Sequence, residues 1–162
     1  MSCVLTLALN PAAQECFEHL RRQWFPPALN RIPAHLTLFH TLPESAETTA
    51  ALELVASTQP VFGMQVLPPR LIGRGVAYFL QSEEAMLHGR LRRAFESELT
   101  AQDRQGFRPH VVVQNKVSGD QAKVTLTALG QVAVPDSIEA VGLDLWRYLD
   151  GPWEHLRTFA FR

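Results

Sequence analysis

Two stretches of sequence decide the fold of this chain: Arg31-Ile-Pro-Ala-His-Leu-Thr-Leu-Phe-His40 and Phe107-Arg-Pro-His-Val-Val-Val-Gln114. In each of them a proline leads into a histidine that opens an apolar, strand-like run. Side chains along a strand alternate between its faces, so His35 and Thr37 lie on one face and the intervening leucines on the other. The first stretch therefore predicts a strand whose polar face carries a histidine.

The second stretch repeats this plan. His110, Val112 and Gln114 fall on one face of the predicted strand, opposite two further valines. The histidines at positions 35 and 110 are 75 residues apart, about half of the chain. If the two strands lie side by side, both imidazoles enter one cleft.

Hydrophobic periodicity and turn residues predict a chain of mixed strands and helices. The predicted strands cover residues 4–9, 35–41, 62–67, 76–80, 110–117, 138–149 and 153–161. The predicted helices run from 11 to the prolines at 26 and 27, and over 45–57, 83–100 and 118–129. Asn10 and Ser118 are predicted helix caps, and residues 68–75 a proline- and glycine-rich connection.

The order of these elements indicates an internal duplication. Helix, proline loop, histidine strand, helix and strand pair occur in this order twice. We therefore expect two similar lobes, with the equivalent histidine strands meeting at the groove between them.

Composition indicates one compact domain that spans residues 1–162. Of the 162 residues, 46% are hydrophobic and 19% are charged, which is enough to bury a sizeable core. The formal net charge is −1, so the chain has no global positive field for a long nucleic-acid track. An anion must therefore be held by a local site.

The cysteines and the amino terminus indicate a soluble, cytoplasmic protein. Cys3 and Cys16 match neither a disulfide framework nor a metal-ligand spacing, so we expect buried free thiols. The first residues lack the basic and apolar regions of a signal peptide, and no apolar run reaches membrane-spanning length.

Two facing imidazoles suit the cleavage of a phosphodiester. A neutral imidazole can deprotonate the attacking water or hydroxyl, and a protonated one can donate a proton to the departing oxygen. A hydroxyl donor on the same strand, such as Thr37, can stabilise the nonbridging oxygens of the phosphate. A zinc site at His35 and His110 lacks an identifiable third ligand, so we expect no metal.

With these residues in place, the chain resembles the two-histidine phosphoesterase superfamily, in particular the bacterial 2'-5' RNA ligase-like proteins and RNA 2',3'-cyclic phosphodiesterases. The resemblance rests on Pro33-Ala-His-Leu-Thr-Leu38 and Arg108-Pro-His-Val-Val-Val113, and it spans nearly the whole chain. It implies a bilobal, duplicated α+β fold, with two antiparallel sheets and flanking helices around a central cleft.

The resemblance also implies an activity and a site. Members of the family open 2',3'-cyclic phosphates of RNA ends or nucleotides to 2'-phosphates, or reversibly join RNA ends through 2'-5' links, without a metal or a nucleotide cofactor. Carried over to this chain, the family motif makes His35 and His110 the catalytic pair and Thr37 a phosphate ligand. Which histidine is the acid and which the base stays open.

The second motif departs from the family pattern. Val112 stands where the family has threonine or serine, and valine cannot donate a hydrogen bond. We expect Gln114, two residues further along the same face, to compensate. Arg108 or Lys116 could supply the positive charge that many relatives carry on an arginine shortly after the motif.

Further residues have a functional and a structural interpretation. Phe39 shares the predicted face of His35 and could stack on a base at the mouth of the cleft, although such aromatic residues more often belong to a core. The paired arginines at 21–22 and 92–93 lie on predicted helices, where a solvated face is the simplest interpretation.

Two alternatives remain beside the cyclic phosphodiesterase. The first is a catalytically weak or inactive relative that binds nucleotides or RNA ends, and Val112 is its best argument. The second keeps the chemistry with another cyclic phosphate, such as ADP-ribose cyclic phosphate.

Overall fold

A computed structural model describes residues 1–82 and 86–162, and of Met86 only the backbone. The described chain contains strands and helices in the following order, together with a short 3₁₀ helix at Pro27–Leu29: β1 (Ser2–Leu9), α1 (Pro11–Trp24), β2 (Leu36–Pro43), α2 (Ala46–Thr58), β3 (Phe62–Ile72), β4 (Gly75–Gln81), α3 (Met86–Ala94), β5 (His110–Gln114), α4 (Gly119–Leu129), β6 (Ser137–Tyr148) and β7 (Trp153–Ala160). The expected α+β class is confirmed.

The described strands form one antiparallel sheet of seven strands in the order β2-β1-β6-β3-β4-β5, with β7 paired to β6. One edge of β6 pairs with β3 over residues 137–140 and then with β7 from residue 142 onward. The expectation of two separate sheets is therefore wrong, because four residue pairs between β3 and β6 join the two groups of strands.

The two histidine strands lie at opposite ends of the hydrogen-bonded order, yet they come together in space. β2 and β5 are the terminal strands of that order, and they contact each other without a shared ladder. α1 packs on β5. The curvature of the sheet thus brings the two motifs to one place.

Two of the helices begin at serine caps that are visible in the sequence. Ser45 Oγ accepts a hydrogen bond from Thr48 N at the start of α2, and Ser118 Oγ accepts one from Gln121 N at the start of α4. Asn10 precedes α1, but its side chain accepts from Glu139 N on β6 instead of capping the helix. Apolar residues of α1 complete the core against the sheet.

The predicted connection at residues 68–75 is wrong. β3 continues to Ile72 and β4 begins at Gly75, so this segment is a β-hairpin. Pro68 and Pro69 are tolerated because a register shift interrupts the ladder between residues 66 and 69. Gly73, with φ of +51°, provides the left-handed turn residue.

The predicted helix at residues 83–100 is shorter in the structure. Its first residues, 83–85, lie outside the described part of the chain, and α3 ends at Ala94, followed by turns. Cys3 and Cys16 are free thiols, as expected. Cys3 is fully buried, whereas Cys16 is only partly buried. Among the described helices, none has the length and apolar character needed to cross a membrane.

Candidate functional site

A β-bulge lies inside the first histidine strand. Thr37 pairs with Thr6 of β1, whereas Phe39 pairs with Leu5, which leaves Leu38 as an extra residue on β2. A bulge reverses the alternation of faces for the residues that follow it. Phe39 is consequently fully buried, at 0% exposure.

A second bulge lies at the equivalent place in β5. Val112 pairs with Ala77 and Gln114 with Val76, so Val113 is the extra residue. The face of Gln114 is reversed in the same way, and its side chain is 1% exposed.

The two bulges overturn two predicted substrate contacts. Phe39 stacks on His88 in the core, with ring centroids 4.8 Å apart. Gln114 donates from Nε2 to Thr125 Oγ1 of α4 at 2.7 Å. The predicted stacking of Phe39 on a base and the predicted compensation by Gln114 are therefore both wrong.

A cleft of about 180 Å³ brings together side chains of both motifs. Thr37 and His110 line it, together with Arg108, so the structure unites three of the predicted site residues. Its remaining lining comes from Leu38, His40, His88, Gln102, Asp103, Gln105, Gly106 and Phe107. His35 directly precedes β2 and is not among the residues that line this cleft.

Both motif histidines are oriented in the same way. His35 Nδ1 lies 2.8 Å from Pro33 O, and His110 Nδ1 lies 2.7 Å from Arg108 O. A carbonyl oxygen can only accept, so each Nδ1 carries the proton and donates it. Each neutral imidazole therefore keeps Nε2 as an acceptor, which is the atom that a general base uses.

The surroundings of His35 favour its neutral form. Burial lowers the pKa of His35 from 6.5 to about 4, and the positive charges of Arg21, His110 and His40 lower it as well. The hydrogen bond to Pro33 O acts in the opposite direction but is the weaker influence. At neutral pH, the imidazole of His35 is therefore in its neutral form.

Each imidazole also rests against an aromatic ring. Trp153 of β7 contacts His35 with ring centroids 4.7 Å apart, and Phe79 of β4 stacks on His110 at 5.2 Å. Sequence analysis missed both rings because they come from strands far away along the chain. Cross-strand neighbours cannot be read from a single sequence without the register.

His40 is a third histidine of the cleft. The backbone N–H groups of His40 and Thr41 donate to the carboxylate of Asp103, each at 2.8 Å. His40 Nδ1 also donates to Asp103 Oδ1, at 3.1 Å. The Asp103 side chain is 1% exposed and that of His40 is 50% exposed, so a buried carboxylate holds an accessible imidazole. Sequence analysis did not identify this pair.

Helix α1 bonds to both motifs from one of its faces. Gln14 Nε2 donates to Ala34 O at 2.8 Å, and Glu18 Oε1 accepts from Ala34 N. Arg21 Nη1 donates to Val112 O at 2.9 Å. Arg21 is 2% exposed, so its predicted place on a solvated helix face is wrong.

The second motif lacks the hydroxyl donor that the family pattern has at position 112, and the backbone carbonyl of Val112 is bound by Arg21. The side chain of Val112 is partly buried and cannot donate a hydrogen bond.

Among the residues that the structure describes, no group of three or more histidine, cysteine, aspartate or glutamate side chains could hold a metal ion.

Comparison with solved structures shows the fold. E. coli LigT in complex with 3'-AMP is 22% identical, with 99% of this chain and 97% of that chain covered and a TM-score of 0.62. TT0787 of Thermus thermophilus is 16% identical over 100% and 98% of the two chains, with a TM-score of 0.63. A structure described as a phosphoesterase is 22% identical over 99% and 97%, with a TM-score of 0.57.

Sequence comparison supplies the family. A search of curated proteins finds no match. The sequence profile of the 2'-5' RNA ligase superfamily, however, matches residues 9–152. This match covers both histidine motifs and confirms the resemblance inferred from them. The chain belongs to the 2'-5' RNA ligase superfamily.

Proposed function

We propose that this protein opens 2',3'-cyclic phosphates of RNA ends or nucleotides to 2'-phosphates, without a metal, by acid and base catalysis at His35 and His110. The observation that carries the proposal is the matched pair of imidazoles. Both donate Nδ1–H to the carbonyl two residues upstream. His110 opens β5, His35 directly precedes β2, and these two edge strands contact each other. Membership of the superfamily supports a phosphoesterase-type activity.

The surroundings of the two histidines suggest their roles in hydrolysis. His35 is neutral at pH 7, because its pKa is about 4, and its Nε2 takes a proton from the attacking water. The water oxygen bonds to phosphorus while the bond from phosphorus to O3' breaks. His110 in its protonated form gives the Nε2 proton to O3', which leaves a 2'-phosphate and a free 3'-hydroxyl.

The hydroxyl of Thr37 stabilises the charge that develops on the phosphate. Its donor faces the same cleft as His110. A preorganised donor of this kind contributes roughly 2.7 to 4 kcal/mol to transition-state stabilisation. Val112 cannot make the equivalent contact from the second motif, so the nonbridging oxygens depend more strongly on Thr37.

A nucleotide-binding protein without turnover is the second candidate, and the second motif favours it. Val112 has no hydroxyl, and Gln114 is turned into the core, so the structure offers no replacement for the missing donor on that strand among its described residues. E. coli LigT has been solved in complex with 3'-AMP, NADP+ and ATP. Both candidates share the expectation that nucleotides bind in the cleft.

Hydrolysis in EDTA separates the two candidates. The substrates are a panel of 2',3'-cyclic nucleotides and RNA oligomers that end in a cyclic phosphate, and the product is identified as the 2'-phosphate. We expect turnover by the parent protein and a loss of about 10²–10⁴-fold in His35→Ala and in His110→Ala. His19→Ala, on the exposed side of α1, is the matched control.

Val112→Thr tests the missing donor. Faster turnover than in the parent shows that the valine limits the rate. If the parent and Val112→Thr are both inactive on the whole panel while nucleotides still bind, the binding protein is the correct interpretation and the proposed enzyme is not.

A further inference from the structure

Charge is distributed unevenly between the two parts of the sheet. Residues 62–81 and 106–117, which contain β3, β4 and β5, carry Arg70, Arg74, Arg108 and Lys116 but no aspartate or glutamate. The rest of the chain carries 11 basic and 16 acidic residues. The part of the sheet that holds His110 is thus positive in a protein whose net charge is −1.

Two of these arginines each lie within cation–π distance of one aromatic ring. The guanidinium carbon of Arg70 lies 4.5 Å from the ring centroid of Phe79, and that of Arg108 lies 5.3 Å from it. The two guanidinium groups are therefore no more than 9.8 Å apart. The same ring stacks on His110 at 5.2 Å, so both charges lie beside a histidine of the proposed active site.

Neither arginine has an acidic partner in the described part of the chain. Arg70 and Arg108 are exposed, and their side chains form no ion pair or hydrogen bond there. Arg147 on β6, in contrast, pairs with both Glu44 and Glu154. Two neighbouring positive charges repel each other, and a bound anion relieves this repulsion.

We propose that Arg70 and Arg108 form a second anion site, which binds the backbone phosphate next to the reacting end of an RNA strand. The inference rests on the proposed function, which places the reacting phosphate at His35 and His110. It selects RNA ends of at least two nucleotides over mononucleotides as the substrate class.

The chemistry of the pair fits a backbone phosphate. Guanidinium groups bind phosphate oxygens through paired N–H donors, and stacking on the Phe79 ring limits their freedom, so less conformational entropy is lost on binding. The reacting phosphate already has the imidazoles and Thr37. Because Arg70 lies on β3 and is not among the residues that line the cleft, its charge acts outside the reacting centre.

Calorimetric titration in EDTA tests the site with product-like ligands that the enzyme cannot turn over. One ligand is an RNA tetramer that ends in a 2'-phosphate, and the other is adenosine 2'-monophosphate. We expect the double variant Arg70→Gln/Arg108→Gln to reduce the preference for the tetramer, measured as the ratio of the two Kd values, about tenfold. The double variant Arg93→Gln/Lys123→Gln removes two exposed charges from α3 and α4 and should leave the ratio unchanged.

Salt dependence provides a second measurement on the unaltered protein. Each phosphate contact to a single strand contributes about 0.7 to the slope of log Kd against log salt concentration. The slope for the tetramer should therefore exceed that for the mononucleotide by about 0.7 if the two arginines together neutralise one backbone phosphate. Arg70→Lys/Arg108→Lys keeps the charges and should keep most of this difference.

Two results would overturn the inference: an unchanged preference for the tetramer in the glutamine double variant, or equal slopes for the two ligands. Both measurements report binding alone. Failure of the proposed reaction would appear separately, as an absence of turnover with intact, length-dependent binding.

Discussion

At the scale of single residues, the two motif histidines make the same hydrogen bond but have different neighbours. Both imidazoles donate Nδ1–H to a carbonyl two residues upstream. His35 combines burial with three neighbouring positive groups that lower its pKa. This environment supports the proposed role of His35 as the base, a distinction that the motifs cannot make because they treat the two histidines alike.

We predict that His35 titrates near pH 4 in the ligand-free protein, compared with 6.5 for an ordinary histidine. The folded-state pKa lies below the unfolded one, so the unfolded chain takes up this proton first as the pH falls. The free energy of unfolding should consequently decrease between about pH 6.5 and pH 4, and this contribution should vanish in His35→Gln.

Histidine ring signals in NMR spectra and urea unfolding at pH 7, 6, 5 and 4 check both statements. His19→Gln is the control, since His19 is exposed on α1. Inorganic phosphate should raise the pKa of His35, because a nearby negative charge favours the protonated form. Titration of His35 near pH 6.5 without ligand would contradict the assignment.

At the scale of elements, sequence patterns predicted most strands and helices but not the faces of their last residues. Alternation correctly placed Thr37 in the cleft with His110 and failed at Phe39 and Gln114. Both failures have one cause, a bulge three residues after each histidine. A bulge depends on the pairing of two strands, and no feature of either stretch marks it in advance.

Asp103 binds the backbone of β2 at His40 and Thr41, where a second register shift separates Phe39 from Leu42, and this contact can be tested. Asp103→Asn replaces one acceptor oxygen with a donor, so a backbone N–H of His40 or Thr41 loses its buried partner. We expect the free energy of unfolding to decrease by about 1–3 kcal/mol. Urea denaturation measures this loss, and Asp136→Asn, at an exposed position, is the control. Equal stability of the two variants would show that Asp103 does not support the strand.

At the scale of the whole molecule, the candidate cleft forms where the two ends of one sheet meet. The duplicated order of elements predicted that the histidine strands come together, and β2 and β5 do contact each other. It did not predict the single sheet, because the pairing of β3 with β6 spans about 75 residues of sequence and leaves no local pattern. Strand pairs that are this distant along the chain cannot be predicted from a single sequence.

The position of β5 relative to the rest of the sheet depends on close packing at Gly75. A Cβ atom at Gly75 would lie 1.8 Å from Gln114 O, so Gly75→Ala must displace β5. We expect a loss of about 1–3 kcal/mol in stability and a decrease in turnover, because His110 moves with its strand. Gly63→Ala is the control, since its nearest contact would be 3.9 Å away. Thermal unfolding and the EDTA assay measure both effects, and unchanged turnover would contradict the link.

The bonds from α1 to both motifs have a further consequence. Gln14 and Glu18 hold Ala34, and Arg21 holds Val112, so one rigid helix spans the two edges of the sheet that no hydrogen-bonded ladder connects. Seven residues of helix measure about 10.5 Å. The spacing of these residues along α1 thus sets the distance between the two motifs, and with it the width of the cleft. Insertions in the loops between the motifs should leave that width unchanged, whereas a change in the spacing of Gln14 and Arg21 along α1 should alter it.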